Sequence, residues 1–372
     1  MKHKIFISRT GYALFFITLA GIFCAFSPFP AYAKVTGPCY ICHTMHNSED
    51  GDSKYRPDTA DANIGWNSSD ELAGGVSSST PAAKLLVTNC VGCHSSSTGN
   101  TIVTIGDNTR VPIVYNTVPP TDNVLAGGNF YWVGNGDNNK GHNVYGIAGQ
   151  DPNHTGGAPG NTNCGGDNTA CHSTLAASGN SYSKPGCQGC HFNTFHHTDN
   201  GQYRFLNGHQ GSGHYVEGQE HANWEQDATA SSHNYYKGYA GPVGSGASLA
   251  VTKSISTFCS ACHFDFHRTS DQYSTRIGNT GAWVRHPTDI ALPGTGEFAG
   301  YDPVSSYDLD APVAWTAPTA ESKGTAIVMC LSCHRPHGSD QDNMLRWNYS
   351  GNCLVGSGNS DCGCFTCHSN KD

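Results

Sequence analysis

Apolar positions along this chain seldom recur with the spacing of a long helix or a long strand. Strand-like alternation surfaces around 101–115 and 129–133, and short strands are expected there. Helical spacing is sparse and confined to single turns, while Gly-Gly, Asn-Gly and Asp-Gly pairs break up the rest into loops. One long apolar run, Ala13 to Phe26, follows the basic residues Lys2, Lys4 and Arg9 and precedes Ala31-Tyr32-Ala33. That order is the pattern of a secretory leader with a small-x-small cleavage site, so 1–33 is expected to be removed and the mature chain to begin at Lys34. An uncleaved anchor is the competing reading, but the run is short for a span. Gly21-Ile22-Phe23 before Cys24 does not form a lipobox. No later segment is long and apolar enough to cross a membrane, and no linker divides the rest, so 34–372 reads as one domain.

Composition sharpens the problem. Hydrophobic residues make up 37% of the chain and charged residues 13%, against roughly 45–50% apolar and roughly 25% charged in ordinary globular proteins. Forty-five of the 372 residues are glycine. Ordering each backbone residue costs about 1–2 kcal/mol, which so little apolar surface cannot offset unaided. Loss of Lys2, Lys4 and Arg9 with the leader takes the formal net charge from −9 to −12, which argues against a nucleic-acid partner. Seventeen cysteines and twenty histidines indicate what replaces the missing core.

Six windows share one spacing: Cys39-Tyr-Ile-Cys42-His43, Cys90-Val-Gly-Cys93-His94, Cys187-Gln-Gly-Cys190-His191, Cys259-Ser-Ala-Cys262-His263, Cys330-Leu-Ser-Cys333-His334 and Cys364-Phe-Thr-Cys367-His368. Two thiols three residues apart lie on one side of a helical turn, where both can add to the vinyl groups of one porphyrin. The histidine that follows then lies under the ring and coordinates iron. Paired Cys-x-x-Cys units also build zinc ribbons, but zinc does not require a histidine after every second cysteine. Haem c is therefore the expected cofactor at six sites. A seventh window, Cys164-Gly-Gly-Asp-Asn-Thr-Ala-Cys171-His172, keeps the ending but separates the thiols by six residues. It is either a haem site with a looped-out spacer or a small disulfide-closed loop. Cys353 and Cys362 remain, neither followed by histidine, and are expected to pair as a disulfide in an oxidising compartment.

The sixth ligand separates electron transfer from catalysis. Beyond the seven proximal histidines, His46, His142, His154, His196, His197, His209, His214, His221, His233, His267, His286 and His337 are available, whereas the mature chain retains only Met45, Met329 and Met344. Bis-histidine ligation is expected, and it keeps haem potentials low. His46, His267 and His337 follow a proximal histidine by three or four residues, so each can reach a neighbouring haem. Of the adjacent His196 and His197, only one is expected to bind iron; the candidate carried forward is His197. Iron with both axial positions filled has no place for substrate, and the chain has no Cys-x-x-Cys-Lys motif, so an electron carrier rather than an enzyme is expected. The acidic stretch Glu49-Asp50-Gly51-Asp52 reads as a solvated loop in preference to a calcium site.

The opening Cys39-Tyr-Ile-Cys-His-Thr-Met-His-Asn-Ser48 resembles the outer-surface multihaem c-type cytochromes of metal-reducing bacteria. Leu125–Tyr131 with Gly141–Val144, Trp283–Asp289, and Cys330–Gly338 followed by Met344–Trp347 are similar to the same doubled Cys-x-x-Cys-His family. The resemblance implies an irregular, coil-rich fold with short helices and few strands, in which the haem chain serves as the core. It supports His142, His286 and His337 as distal ligands. Filament-forming members of that group use the histidine corresponding to His46 to coordinate a haem of the adjacent subunit, which implies a homopolymer here. The Cys164–Cys171 spacing departs from the members with four or six haems. The leading expectation is a secreted, extracellular or outer-surface electron conduit to external acceptors, possible as a nanowire filament and fed by other multihaem cytochromes or a porin-cytochrome complex. A monomeric periplasmic or surface carrier is the alternative, and a multihaem oxyanion reductase the third reading.

Overall fold

A computed structural model describes residues 38–46, 48–49, 52–53, 65–72, 79–81, 85, 90–106, 108–154, 158–159, 175–177, 186–192, 194–197, 202–208, 213–240, 248–263, 266, 286–359 and 361–371, all within the unit Ala33–Asp372. The leader and the seventh window, with Cys164, Cys171 and His172, lie outside the described residues, as do His209 and His267.

Among the described residues the longest helix is Ile255–Ser260 and no strand exceeds four residues. Most of the described residues lie in turns and irregular coil. This is the irregular, coil-rich architecture expected from the glycine-broken sequence.

Two small β units position the rest. Strands β1 (Ile102–Ile105) and β2 (Thr109–Pro112) form an antiparallel hairpin with Ile102 opposite Pro112 and Ile105 opposite Thr109. Trp66, Leu72, Val103, Ile105 and Ile113 pack together beneath it. The second unit is a five-stranded sheet gathered from distant segments in the order β3 (Gly218–Gln219), β4 (Tyr235–Lys237), β6 (Ala314–Trp315), β7 (Ile327–Val328) and β5 (Ile290–Ala291). Its core strands alternate as a two-sided sheet must. Ala314, Ile327 and Met329 face a cluster with Tyr236, Val216 and Leu331, packed against Cys190 and Cys259. Val313, Trp315, Ala326 and Val328 face the other way, toward a cluster packed against Cys367. The sheet thus separates different Cys-x-x-Cys-His turns.

Among the described residues the buried apolar side chains form five separate clusters, the largest holding nine residues. Four of them include or touch a motif residue: Leu331 with Cys190 and Cys259, Val91, Cys367, and Cys333 with Cys364. A compact domain of this length ordinarily builds one contiguous core. Here the apolar clusters are satellites of the motifs.

The segment expected as a strand at 129–133 instead turns as helix α1 (Tyr131–Gly134). Asn129 explains the difference: its Oδ1 accepts from the Tyr131 N–H at 2.9 Å and starts the turn, while Val133 is buried beside Phe130 and Val91. The expected strands at 101–115 are present as the hairpin. Cys353 and Cys362 are joined as a disulfide.

Candidate haem sites

Each Cys-x-x-Cys-His window closes as one helical turn. The proximal N–H donates to the carbonyl of the first cysteine four residues back: His43 to Cys39 at 2.8 Å, His191 to Cys187 at 2.8 Å, His263 to Cys259 at 3.0 Å, His334 to Cys330 at 3.1 Å and His368 to Cys364 at 2.9 Å. The sixth lies inside the helix Cys90–His94. That turn is what places both thiols and the imidazole on one side, as thioether attachment with axial ligation requires.

The second ring nitrogen has a partner in five of these six histidines. Nδ1 faces a backbone carbonyl in His94 (Pro112, 2.8 Å), His191 (Arg204, 2.7 Å), His263 (Pro159, 2.9 Å) and His334 (Asn343, 2.9 Å). The same holds for His142 (Pro336, 2.7 Å) and His286 (Pro287, 2.9 Å). A carbonyl only accepts, so Nδ1 carries the proton and Nε2 keeps its lone pair for a metal. In His368 the Nδ1 partner is a carboxylate, Glu297 Oε2 at 3.3 Å. Burial pushes the imidazoles of His94, His142, His191, His263, His286 and His334 below the usual range. It lowers His196 to about 4 and His337 to about 3, neighbouring imidazoles adding to the effect. All are held neutral, the form that coordinates metal.

Five of the six proximal imidazoles stand opposite a second imidazole at nearly one separation. Ring centres lie 6.0 Å apart in His43–His197, 6.2 Å in His94–His196, 6.2 Å in His191–His337, 6.0 Å in His263–His142 and 6.3 Å in His368–His286. Two metal–nitrogen bonds of about 2 Å, with about 1 Å from nitrogen to ring centre on each side, span about 6 Å. By contrast, His233 and Tyr307 stack with ring centres 3.5 Å apart and planes 7° off parallel. The narrow spread of the five pairs, the donor type and the Nδ1 bonds all fit an iron between two imidazoles.

The sheet and the glycines set these positions. Gly128 (φ +86°) and Gly338 (φ +132°) pair across a bridge so close that a Cβ on Gly128 would fall 1.9 Å from the Gly338 carbonyl oxygen. This approach lays His337 on Phe130, ring centres 4.8 Å apart, and brings it opposite His191. The neighbouring Pro336 carbonyl fixes His142, so one short segment serves two sites.

Sulfurs of successive motifs also meet. The Cys90 and Cys187 thiols hydrogen-bond, which lowers Cys90 to about 7 and raises Cys187. The Cys259 thiol likewise hydrogen-bonds Cys330 and is raised by that contact. Cys190 feels Cys262, and Cys333 feels Cys364 and Cys367. The adjacent His196 and His197 join the first two sites.

Other candidates are placed differently. The His221 Nδ1 accepts from the N–H groups of Asn223 and Glu225, both at 3.2 Å, so its proton sits on Nε2 and the ring caps a turn. The buried His233 donates Nδ1–H to the Asn234 carbonyl and turns Nε2 to Glu321, 3.1 Å away. His46 is half-buried, and His154 and His214 are exposed. His334 has no ring opposite it among the pairs above. The side chain of Cys42 lies outside what is described. His196 is the site residue that sequence alone passed over: adjacency argued for one ligand, whereas consecutive residues of a turn project to different sides.

The chain is similar to the outer membrane cytochrome S filament from Geobacter sulfurreducens, at 21% identity over 86% of this chain and 85% of that one, with a TM-score of 0.42. It is similar also to the OmcS nanowires from Geobacter sulfurreducens, at 17% identity over 86% of each chain and a TM-score of 0.39. No curated protein matches it. The family model that matches is the doubled CXXCH motif, over residues 323–372, which holds the last two of the six motifs.

Proposed function

We propose that the chain is a multihaem c-type cytochrome that passes electrons along a row of bis-histidine haems. The single observation carrying this reading is the set of five imidazole pairs with ring centres 6.0 to 6.3 Å apart. In this reading Cys39 and Cys42, Cys90 and Cys93, Cys187 and Cys190, Cys259 and Cys262, Cys330 and Cys333, and Cys364 and Cys367 form the thioethers. His43, His94, His191, His263, His334 and His368 are the proximal ligands. His197, His196, His337, His142 and His286 are the distal ligands of the first, second, third, fourth and last of these. The sixth ligand of the iron on His334 comes from among His46, His209, His214 and His267.

The sulfur contacts from the second motif to the sixth, with His196 and His197 joining the first two sites, support an order of haems that follows the sequence from His43 to His368. Haem would supply the one-electron couple, with the cysteines anchoring it and the paired imidazoles taking the coordination positions that a substrate would otherwise use. A filament fits the N-terminal end of this row. Tyr40 and Met45 beside His46 are 59% and 53% exposed, which presents the opening motif to a second copy whose haem His46 would ligate.

Intact mass of the secreted protein, followed by electron microscopy, tests this reading. The mass should show loss of 1–33 and six added haems, or seven if Cys164, Cys171 and His172 hold one. Filaments that disappear in His46→Ala with haem count unchanged would support the polymer. Monomers in the wild type would leave a soluble carrier.

A further inference from the structure

The Sγ atoms of Cys353, Cys362 and Cys364 all lie within 4.8 Å of one another. Two of them are joined, so the trio is not a set of thiolate ligands. Cys364 lies beside the disulfide and shares a helical turn, Gly363–Cys367, with Cys367. Trp347 holds the group together: a Cβ on Gly363 would fall 2.3 Å from its ring, and Cys362, Phe365, Cys353 and Cys364 pack around it. Cys362 is fully buried and Cys353 partly exposed. Among the described residues no other motif has a disulfide beside it.

Haem attachment consumes two thiols, yet a Cys-x-x-Cys pair in an oxidising compartment closes on itself. We propose that Cys353 and Cys362 form an internal thiol–disulfide exchange site that keeps Cys364 and Cys367 reduced for haem attachment. The inference rests on the haem reading of that motif. The Cys353 thiolate attacks Sγ of Cys364 in a Cys364–Cys367 disulfide. A Cys353–Cys364 bond forms, and Cys367 leaves as a thiolate and takes up a proton. The Cys362 thiolate then attacks Sγ of Cys353, releasing Cys364. Two electrons pass from one cysteine pair to the other, and no further reductant is consumed. The products are the Cys353–Cys362 disulfide, which the structure holds, and the Cys364 and Cys367 thiols that haem attachment needs. Cys353 is the attacking thiol because it is the more exposed of the two.

The test is the full chain, expressed with haem-attachment machinery and analysed by intact mass and peptide mapping. In the double variant Cys353→Ser with Cys362→Ser, haem at Cys364–Cys367 should fall roughly threefold or more while the other motifs stay filled, and a small dithiol supplied during export should restore it. Cys362→Ser alone should trap a Cys353–Cys364 bond in the haem-deficient fraction. Full occupancy at Cys364–Cys367 in the double variant without added thiol would overturn the proposal. So would a loss that the dithiol does not repair, which marks a purely structural disulfide. Absence of haem at every motif in the wild type would instead overturn the reading of the chain as a cytochrome.

Discussion

His196 and His197 are consecutive in the chain yet face different proximal histidines, His196 at 6.2 Å from His94 and His197 at 6.0 Å from His43. Each pair has its ring planes 19° apart. A two-residue step therefore couples the first two sites, and their separation is fixed by one stretch of backbone.

Replacing either residue should open one iron and leave the other intact. His196→Ala and His197→Ala are each expected to convert one haem to high spin, and the double variant two, with all thioethers retained. Electron paramagnetic resonance of the oxidised proteins reads this directly. A fully low-spin spectrum in His196→Ala would remove the pairing with His94.

Gly128 holds His337 in place through its contact with Gly338. Its φ of +86°, and the 1.9 Å that would separate an added Cβ from a backbone oxygen, leave no room for a side chain. Gly128→Ala should cost about 1–3 kcal/mol of stability and displace His337 from His191. The expected signature is one high-spin haem with a lowered denaturant midpoint. An unchanged spectrum would show that His337 is held by other contacts.

Glu297 is expected to tune the last site through its contact with His368. Its carboxyl is held below the ordinary carboxylate range chiefly by the hydrogen bond from His368, with Lys371 adding to the effect. A depressed folded-state value means the contact is present above about pH 4.5 and lost as pH falls through the lower folded value. A carboxylate on Nδ1–H makes the ligand a stronger donor and stabilises ferric iron. Glu297→Gln should therefore raise the potential of that haem by roughly tens of millivolts. Wild type should drift toward the variant in acid. Spectroelectrochemical titration at two pH values checks it, and identical potentials at neutral pH would contradict the role.

Much of the site was legible in the sequence because thioether chemistry needs contiguous residues: each proximal ligand and both thiols lie within five positions. The coil-rich fold followed from glycine-broken patterning, and the 101–115 hairpin from alternation. Distal ligands were harder. His142 meets His263, and His286 meets His368, across long stretches of chain whose folding no local pattern encodes. His221 and His233 read as equivalent candidates until their Nδ1 partners distinguished a turn cap and a glutamate-facing ring. At 129–133 the cue was a single side chain, Asn129, which alternation does not register.

Imidazoles paired about 6 Å apart are expected to clasp iron. Low-temperature electron paramagnetic resonance of the oxidised, purified protein tests it most directly, with spins counted against haem from the intact mass. Only low-spin bis-histidine signals are expected, one for each haem. A substantial high-spin ferric signal, or zinc in place of iron, would contradict it.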